Sequence, residues 1–343
     1  MTSFALHERA PLLVVVSIDT EEDNWCPART AIAVENIRAL PALQRRLEAV
    51  GVVPTYFTSY QVTQVPWAAE IVAGLRAGGR AEIGAHLHPW NTPPLTEPFE
   101  PRFTMMKNLD ADLQHAKVAT LADAVEEAIG APATSFRAGR FGMATSGLEA
   151  LVANGFLVDS SVTPFIDWRR YDDGANFHTA PMHAYRPARD DLLLPSTGPL
   201  IELPLSGGYT RRPFARWHRR YQALTEVKVG RYSAASLAHH LRILRKVQLS
   251  FETNGVRDML TLSRRLVAEG ARFLHVMWHS PSLVPGLGPF VRTAADRAAF
   301  LANIDRFFDR LAGEFPLEFV TVTDAARRLA PWRAEERDHA RVG

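Results

Sequence analysis

The sequence predicts an α/β fold, a distorted (β/α)7–8 barrel with loop insertions. Three observations support this prediction: strand and helix patterns alternate along almost the whole chain of 343 residues, the first strand is apolar throughout, and no glycine-rich phosphate loop follows that strand. Strands that alternate with helices pair in parallel through right-handed crossovers. An open dinucleotide-binding sheet would carry glycines after its first strand, so the barrel is favoured.

The individual elements follow from two patterns. Helices are predicted where apolar residues recur every three or four positions, and they end at glycine or proline. Strands are predicted where short runs of apolar, β-branched or aromatic residues occur. In chain order the patterns give a strand at 11–19, a helix at 31–50, a strand at 51–59, a helix at 67–78, a strand at 81–86, a helix at 109–130, a strand at 134–138, a helix at 145–154, strands at 156–159 and 200–206, a helix at 256–269, a strand at 271–280, a helix at 294–312 and a strand at 317–322.

Two segments, about 160–198 and 207–250, interrupt the alternation. The first is rich in Pro, Asp, Gly and aromatic residues without periodicity, which is typical of a loop insertion. The second is basic and aromatic, most densely at 211–221. That cluster is either a solvated amphipathic helix or a surface that binds the diphosphate of a nucleotide-linked or lipid-linked sugar, or a membrane.

The composition is that of an ordinary globular protein, with 47% hydrophobic and 22% charged residues. The formal net charge of +2 argues against a nucleic-acid binder, since such proteins usually carry a strong basic excess. Cys26 is the only cysteine, so an intrachain disulfide and a cysteine-based zinc site are excluded. Because α/β barrels reach this size as one domain, we expect a single domain at 1–332 and a charged tail at 333–343.

The first apolar run leads directly into Asp19 and lacks the small-residue cleavage site of a signal peptide. It therefore indicates a buried strand. No stretch of the sequence approaches the length needed to span a bilayer. We expect a cytoplasmic protein without a transmembrane segment.

Chemically active side chains collect at the carboxyl ends of the predicted strands, where α/β barrels carry their functional residues. Carboxylates and imidazoles gathered on one rim are typical of a metal site, although an isolated HxH pair or acidic loop is weak evidence. The residues at these strand ends are Asp19, Glu21, Glu22, Asp23, His86, His88, Arg137, Asp159 and His279.

Six sequence motifs contain these residues and point to one protein family. Together they resemble the polysaccharide deacetylases of the nodulation-factor deacetylase type, which are carbohydrate esterases, and within them a divergent bacterial branch found among surface-glycan genes. The resemblance covers about residues 12–325. It implies a distorted barrel that removes N- or O-acetyl groups with one divalent metal, held by one carboxylate and two histidines. The motifs are SIDTEED (17–23), GVVPTYFTS (51–59), EIGAHLHPW (82–90), SFRAGRFG (135–142), DSSV (159–162) and HSPSLVPG (279–286).

The resemblance implies a role for each matching residue. Asp19 matches the catalytic base, and Arg137 matches the arginine that braces the base. His279 matches the general acid toward the leaving group, and His86 matches the first histidine ligand of the metal.

This sequence departs from the family pattern in the first motif. Adjacent aspartates are usual there, whereas Thr20 follows the base here. Glu21 is therefore the expected carboxylate ligand, with Glu22 and Asp23 as alternatives.

A second departure lies in the histidine motif. Trp90 stands where the second histidine ligand is usual, so His88 is expected to take that role. Trp90, Arg140 and Asp159 are the expected substrate-binding residues. Asp159 has an alternative interpretation, since it could simply cap the chain after its strand.

The sequence therefore predicts a metal-dependent hydrolase that removes an acetyl group, from nitrogen rather than oxygen, in surface polysaccharide biosynthesis. The expected partner is an acetylated sugar on a nucleotide or lipid carrier, and zinc best suits two histidines and one carboxylate. Two alternatives remain. One is an amidohydrolase that acts on a non-sugar amide; the other is a catalytically inactive glycan-binding barrel, which Thr20 and Trp90 at usual ligand positions favour.

Overall fold

The computed structural model describes residues 10–24, 27–229 and 232–330. The strands are β1 (Leu12–Thr20), β2 (Thr55–Ser59), β3 (Glu82–Leu87), β4 (Ser135–Ala138), β5 (Val158–Asp159), β6 (Ile201–Glu202), β7 (Gly207–Tyr209), β8 (Lys228–Val229), β9 (Tyr232–Ser233), β10 (Lys246–Gln248), β11 (Phe273–His279) and β12 (Leu317–Val320). The helices are α1 (Leu40–Glu48), α2 (Tyr60–Thr63), α3 (Pro66–Ala77), α4 (Ala111–Ile129), α5 (Leu148–Ala153), α6 (Phe214–Glu226), α7 (Ala234–His240), α8 (Val256–Ala268), α9 (Ala294–Ala312) and α10 (Val322–Leu329). Short 3-10 turns cover Glu35–Ala39, Pro101–Thr104, Met106–Asn108, Gly139–Phe141, Thr145–Gly147 and Ser280–Leu283.

Eight strands form one curled sheet in the order β11-β1-β2-β3-β4-β5-β6, with β12 also paired to β1. All of its strand pairs are parallel. The predicted α/β class is therefore confirmed as a curled half-barrel surrounded by helices.

A closed ring of seven or eight strands is not formed by the described residues, because β6 and β11 do not pair as strands. Irregular chain connects them instead. Ser206 donates its backbone N–H to the carbonyl of His275 at 3.4 Å, and Met277 donates to the carbonyl of Leu249 at 3.0 Å. The short β6 explains the gap, since only two of the residues predicted as a strand at 200–206 pair with β5.

Side chains alternate between the two faces of the sheet, because successive residues of a strand point in opposite directions. On β1, Leu13 and Val15 belong to the core inside the curl, together with Phe57 of β2. Their neighbours along β1 pack outward against the helices. Ser17 and Asp19 continue the inner series, so the polar site lies inside the curl at the carboxyl end of the sheet.

Two of the differences from the prediction have local reasons. β2 begins at Thr55 and not at Gly51, because Pro54 has no backbone N–H to give to the ladder. Helix α10 is absent from the sequence prediction, although Thr321 accepts a hydrogen bond from the backbone N–H of Asp324 in an ordinary N-cap.

The two predicted insertions differ in structure. Residues 160–198 contain only isolated bridges, as expected of a loop. Residues 207–250 contain helices α6 and α7, the hairpin β8–β9, and β10 paired antiparallel with β7.

Cys26 and the predicted tail at 333–343 lie outside the described residues. Among the described helices, none combines the length and the apolarity needed to cross a membrane.

Candidate metal and catalytic site

The carboxyl ends of β1 and β3 bring three possible metal ligands together. One Glu21 carboxylate oxygen, Oε2, lies 3.3 Å from His86 Nε2 and 3.2 Å from His88 Nε2. The two imidazole Nε2 atoms are 3.0 Å apart. All three side chains are buried, and their donor atoms lie within 4.8 Å of one another. This cluster can hold a metal ion.

Hydrogen bonds on the far side of each ring orient the two histidines. His86 Nδ1 faces the backbone carbonyl of Arg137 at 3.1 Å, and His88 Nδ1 faces Glu22 Oε1 at 2.8 Å. With the hydrogen of each ring on Nδ1, both Nε2 lone pairs point into the same small space. Lone pairs at this separation repel unless a cation lies with them. The donor set thus fits a divalent ion, and Glu22 supplies the outer carboxylate that metal-binding histidines usually have.

The acidic residues that follow β1 have three different environments. Glu21 lies in the cluster, whereas Glu22 accepts hydrogen bonds from His88 (2.8 Å), Asn91 (2.6 Å) and Ser59 (3.1 Å). Asp23 accepts from the backbone N–H groups of Glu35 (2.8 Å) and Asn36 (3.0 Å), at the start of a 3-10 turn. Only Glu21 faces both histidines, so the geometry favours it as the carboxylate ligand.

The electrostatics of the cluster favour a bound cation. Burial by itself would raise the pKa of Glu21, but His279, His86 and His88 together hold that pKa well below its usual range. Burial would lower the pKa of His88, yet the charges of Glu22 and Glu21 raise it to about 10. Without metal, a proton therefore occupies the cluster, and an incoming ion would have to displace it.

Asp19 lies beside the cluster and is held by a fully buried arginine. Arg137 Nη1 donates to Asp19 Oδ1 at 2.5 Å, while its other nitrogens donate to Ser17 Oγ and to the carbonyl of Ser160, both at 2.9 Å. The guanidinium also lies 4.2 Å above the ring centroid of Phe57. Because every face of Arg137 is engaged, it fixes the Asp19 carboxylate in one orientation.

His279 approaches the same carboxylate from β11. Its Nε2 atom is 3.7 Å from Asp19 Oδ2, and its Nδ1 atom is 2.8 Å from Glu252 Oε2. Glu252 also accepts from the backbone N–H of His279 at 3.1 Å and from Ser282 Oγ at 2.5 Å. Burial would lower the pKa of His279, but Glu252, Glu21 and Asp19 raise it to about 9. The imidazole is therefore protonated at neutral pH.

Sequence reasoning missed Glu252. It lies just after β10, past the end of the 207–250 insertion, and no motif or periodicity marks it. Its place in the site follows from the three-dimensional structure, in which β10 pairs with β7 and the residues after β10 lie next to β11.

A cavity of about 760 Å³ opens above the cluster. Its walls combine the acids and imidazoles of the site with aromatic side chains: Trp90, Phe99, Phe141, Trp168 and Tyr171. Trp90 stacks on the ring of His88, with centroids 4.2 Å apart. Arg140 also lines the cavity, but its guanidinium pairs with Asp172 at 2.7 Å and donates to Thr104. Two of the three expected substrate-binding residues therefore face the cavity.

The third, Asp159, does not line the cavity. In the register of β4 and β5 it lies opposite Phe136, which packs in the outer core, so it points away from Arg137 and the site. Burial raises its pKa to about 6, and the pKa of the neighbouring Glu202 is raised well above its usual value. Asp159 thus belongs to a buried pair of carboxyls on the outer face, and the cavity gives its predicted contact with substrate no support.

Lys117 of α4 holds the loop after β3 through hydrogen bonds to its backbone. The fully buried Lys117 Nζ donates to the carbonyls of Pro89 (2.8 Å), Thr92 (2.6 Å) and Pro94 (2.7 Å). It also pairs with Glu97 at 3.2 Å, and Glu97 pairs with Arg29 at 2.6 Å. Arg29 in turn donates to the carbonyl of Trp90 at 3.1 Å. This network holds Trp90 against His88.

Comparison with known proteins supports the fold. No protein-family model matches the chain, and no curated protein sequence matches it significantly. A protein from Mycobacterium smegmatis described as a polysaccharide deacetylase has a TM-score of 0.52 and 17% identity, with 94% of this chain and 91% of that chain covered. A 4-α-glucanotransferase from Thermococcus litoralis has a TM-score of 0.54 and 9% identity, with 94% and 41% covered. The α-amylase AmyC from Thermotoga maritima has a TM-score of 0.50 and 9% identity, with 94% and 76% covered.

At these identities the similarity shows the fold alone. The three neighbours carry different activities in their names, so the fold does not choose the reaction. Fold and site together define a class: a curled α/β half-barrel with a carboxylate–histidine cluster that can hold a metal ion, flanked by a braced aspartate and a protonated histidine.

Proposed function

We propose that this chain is a metal-dependent deacetylase that hydrolyses an acetyl amide on a sugar or glycan precursor. The observation that carries the proposal is the placement of Asp19 beside the Glu21–His86–His88 cluster, with Asp19 Oδ2 3.9 Å from His86 Nε2 and 3.7 Å from His279 Nε2. A hydrolase of this kind needs a metal site, a base and an acid around one small space. The motif resemblance to polysaccharide deacetylases supports the same assignment.

A divalent ion at the cluster would supply Lewis-acid polarisation of the acetyl carbonyl and a more acidic water, and zinc suits this donor set. Asp19 Oδ2 accepts the proton of the attacking water, while Arg137 keeps Oδ1 engaged. His279 gives its Nε2 proton to the leaving nitrogen, and Glu252 stabilises the imidazolium until then. The water oxygen bonds to the acetyl carbon, the C–N bond breaks, and acetate and a free amine result.

The finer features of the substrate rest on the same residues. A protonated His279 suits an amide, because an amine leaves only after it has gained a proton. Phe141 and Trp168 stack with centroids 5.6 Å apart and give the cavity an apolar wall suited to the hydrophobic face of a sugar ring. The proposed substrate is an N-acetylated sugar in a precursor of a surface polysaccharide, as the motif resemblance implies.

Metal content and acetate release test the proposal together. Purified protein should contain near-stoichiometric zinc or a related ion and should release acetate from N-acetylated amino sugars. His86→Ala should lose both the metal and the activity, whereas His115→Ala, on the exposed side of α4, should keep both. Preferential hydrolysis of cyclic ureides would instead establish the non-sugar amidohydrolase, and a metal-free protein that binds glycans would establish an inactive barrel.

The base is tested by Asp19→Asn. This change removes the proton acceptor but leaves the three ligands in place, so metal content should stay unchanged while turnover falls by a factor on the order of 10² to 10⁴. Wild-type turnover in this variant would show that another group acts as the base.

A further inference from the structure

The charge of this chain is strongly polarised. The segment 211–246 contains ten Lys and Arg residues and a single acid, Glu226, which gives it a formal charge of +9. Because the whole chain has a net charge of +2, the remainder carries −7. Helices α6 and α7 and the hairpin β8–β9 lie in this segment.

Most of the exposed cations in this segment lack an acidic partner. Arg212 pairs with Glu269, and both Arg242 and Arg245 pair with Asp258. Across residues 10–24, 27–229 and 232–330, no ion pair to an acid is formed by five further exposed side chains: Arg211, Arg216, Arg219, Arg220 and Lys228. Their charges are presented to the surroundings of the protein.

Exposed apolar side chains concentrate in the same segment. Of the eleven large hydrophobic residues exposed in the described part of the chain, five lie between residues 227 and 243, with exposed fractions of 43% to 61%. They are Val227, Tyr232, Leu237, Leu241 and Ile243. An apolar patch of this kind, rimmed by charge, usually marks an interaction surface.

The cations and the apolar residues belong to one surface. Arg211 Nε donates to the carbonyl of Ile243 at 2.7 Å. The guanidinium groups of Arg211 and Arg220 lie 5.2 and 4.9 Å from the ring centroid of Trp217, and the backbone N–H of Ala234 donates to the carbonyl of Val227 at 2.8 Å. We call the five unpaired cations and the five apolar residues the amphipathic face.

We propose that the amphipathic face docks this protein on an anionic lipid bilayer. Cations next to aliphatic side chains match the headgroup and acyl boundary of such a membrane. A nucleic acid would use the cations but would gain nothing from Leu237, Leu241 and Ile243. The proposal is independent of the catalytic one, since binding to lipid requires neither metal nor turnover.

Helix α6, which carries part of the amphipathic face, contacts the insertion that forms part of the cavity wall. Gln222 of α6 bonds His178 of the 160–198 insertion at 2.8 Å, and the same insertion supplies Trp168 and Tyr171 to the cavity wall. Docking through this face would therefore bring this insertion close to the lipid headgroups, where a lipid-linked substrate would be met.

Vesicle sedimentation of the full chain tests the proposal. We expect the protein to pellet with vesicles of phosphatidylglycerol and phosphatidylcholine, not with pure phosphatidylcholine, and the bound fraction to fall as salt rises. Failure to pellet with anionic vesicles, or equal binding to both kinds, would overturn it.

Two triple variants locate the binding surface. R216Q/R219Q/R220Q should weaken binding to anionic vesicles by about a hundredfold, because each cation near the surface contributes roughly fivefold. L237S/L241S/I243S should weaken binding by at least about tenfold through lost apolar insertion. Unchanged thermal melting of both variants would show that they remain folded. If both folded variants bound anionic vesicles as the wild type does, the amphipathic face would not be the binding surface.

Matched controls change equivalent residues elsewhere on the surface. R76Q/R306Q/R327Q removes the same charge, and V50S/V152S/L194S removes exposed aliphatic side chains, so both should bind as wild type. An equal loss in the controls would contradict a specific face. Loss in the arginine variant alone, with competition by single-stranded RNA, would assign the face to a soluble polyanion and overturn the membrane proposal.

Discussion

Among single residues, Glu252 has the largest effect on the charge of the proposed acid. It contacts both the ring and the backbone N–H of His279, and its carboxylate is the main reason that the pKa of this histidine stays high despite burial. A group with a raised pKa keeps its proton to higher pH, so the charge of Glu252 extends the activity of a general acid at this position toward alkaline pH.

Glu252→Gln should therefore move the alkaline limb of the kcat/KM–pH profile to lower pH by roughly one unit. The amide keeps a hydrogen-bond acceptor for His279 but removes the negative charge. A pH–rate series on both proteins measures the shift. Ser282→Ala, which removes only a partner of Glu252, should leave the limb in place, and an unmoved limb in the glutamine variant would exclude His279 as the titrating acid.

Some residues of the site follow from the sequence and others depend on three-dimensional contacts. Asp19, His86, Arg137 and His279 are marked by strand ends, because parallel strands meet at one edge. Glu22 could not be told from Glu21 by spacing, since the choice depends on which carboxylate faces His88 Nε2 and which faces its Nδ1.

Among the elements, the loop after β3 depends on one buried charge. Lys117 satisfies three backbone carbonyls and one carboxylate without access to solvent. Nothing in the amphipathic pattern of α4 predicts this, because a lysine within a helix is usually exposed.

Lys117→Met should lower the free energy of unfolding by about 3–5 kcal/mol, since it leaves Glu97 Oε2 and the three backbone carbonyls buried without their cation, although Arg29 still pairs with Glu97 Oε1. Urea unfolding measures the loss, and metal affinity should fall with it because Trp90 no longer holds His88. Lys107→Met is the matched control: Lys107 pairs with the mostly exposed Asp173, so its loss should cost less than about 1 kcal/mol. Equal losses in the two variants would contradict the role of Lys117.

Within the sheet, the face of Asp159 could not be read from the sequence. β5 has only two residues, which is too short for an alternating pattern to show which side chain points inward. In residues 207–250, helix α6 agrees with the amphipathic helix that is one interpretation of 211–221. The strands of this segment escaped prediction for a related reason: they have two or three residues, and tertiary packing determines them.

At the scale of the whole molecule, a bound metal should stabilise the fold because its ligands come from the ends of two strands. Zinc at a hundredfold excess over its Kd should add about 2.7 kcal/mol, seen as a higher Tm that a chelator reverses. Glu21→Gln should remove most of this gain, whereas Glu127→Gln, exposed on α4, should keep it. If the Tm were the same with and without zinc, the cluster would not be a metal site.

The Asp159–Glu202 pair should make stability depend on pH. Because the pKa of Asp159 is raised from 3.8 to about 6 in the folded chain, its contribution is fully present below pH 3.8 and is lost as the pH rises through about 6. Asp159→Asn should flatten this slope and raise stability at pH 7 by at most roughly 3 kcal/mol. Urea unfolding across pH 4–8 tests this, with the exposed Asp112→Asn as control; a slope identical to wild type would refute the pair.

The fold class could be predicted because the alternation of strands and helices extends through the chain and determines parallel pairing. The open edge of the sheet could not be predicted from the sequence. It arises because only two residues of the segment 200–206 pair with β5. That outcome is set by the irregular segment around Ser206 and Leu249, where no periodic pattern exists.

The pairing of β1 has a consequence for how the protein is made. Among the strands of the described sheet, β1 comes first in the chain, yet it pairs with β11 along one edge and with β12 along part of the other. Ser17 and His275, which touch inside the curl, are 258 residues apart in sequence. The edge of the apolar strand β1 that faces β11 therefore stays uncovered until β11 has been translated, and Asp19 meets His279 only then. Such distant pairing makes folding slow and leaves the nascent chain dependent on protection from aggregation.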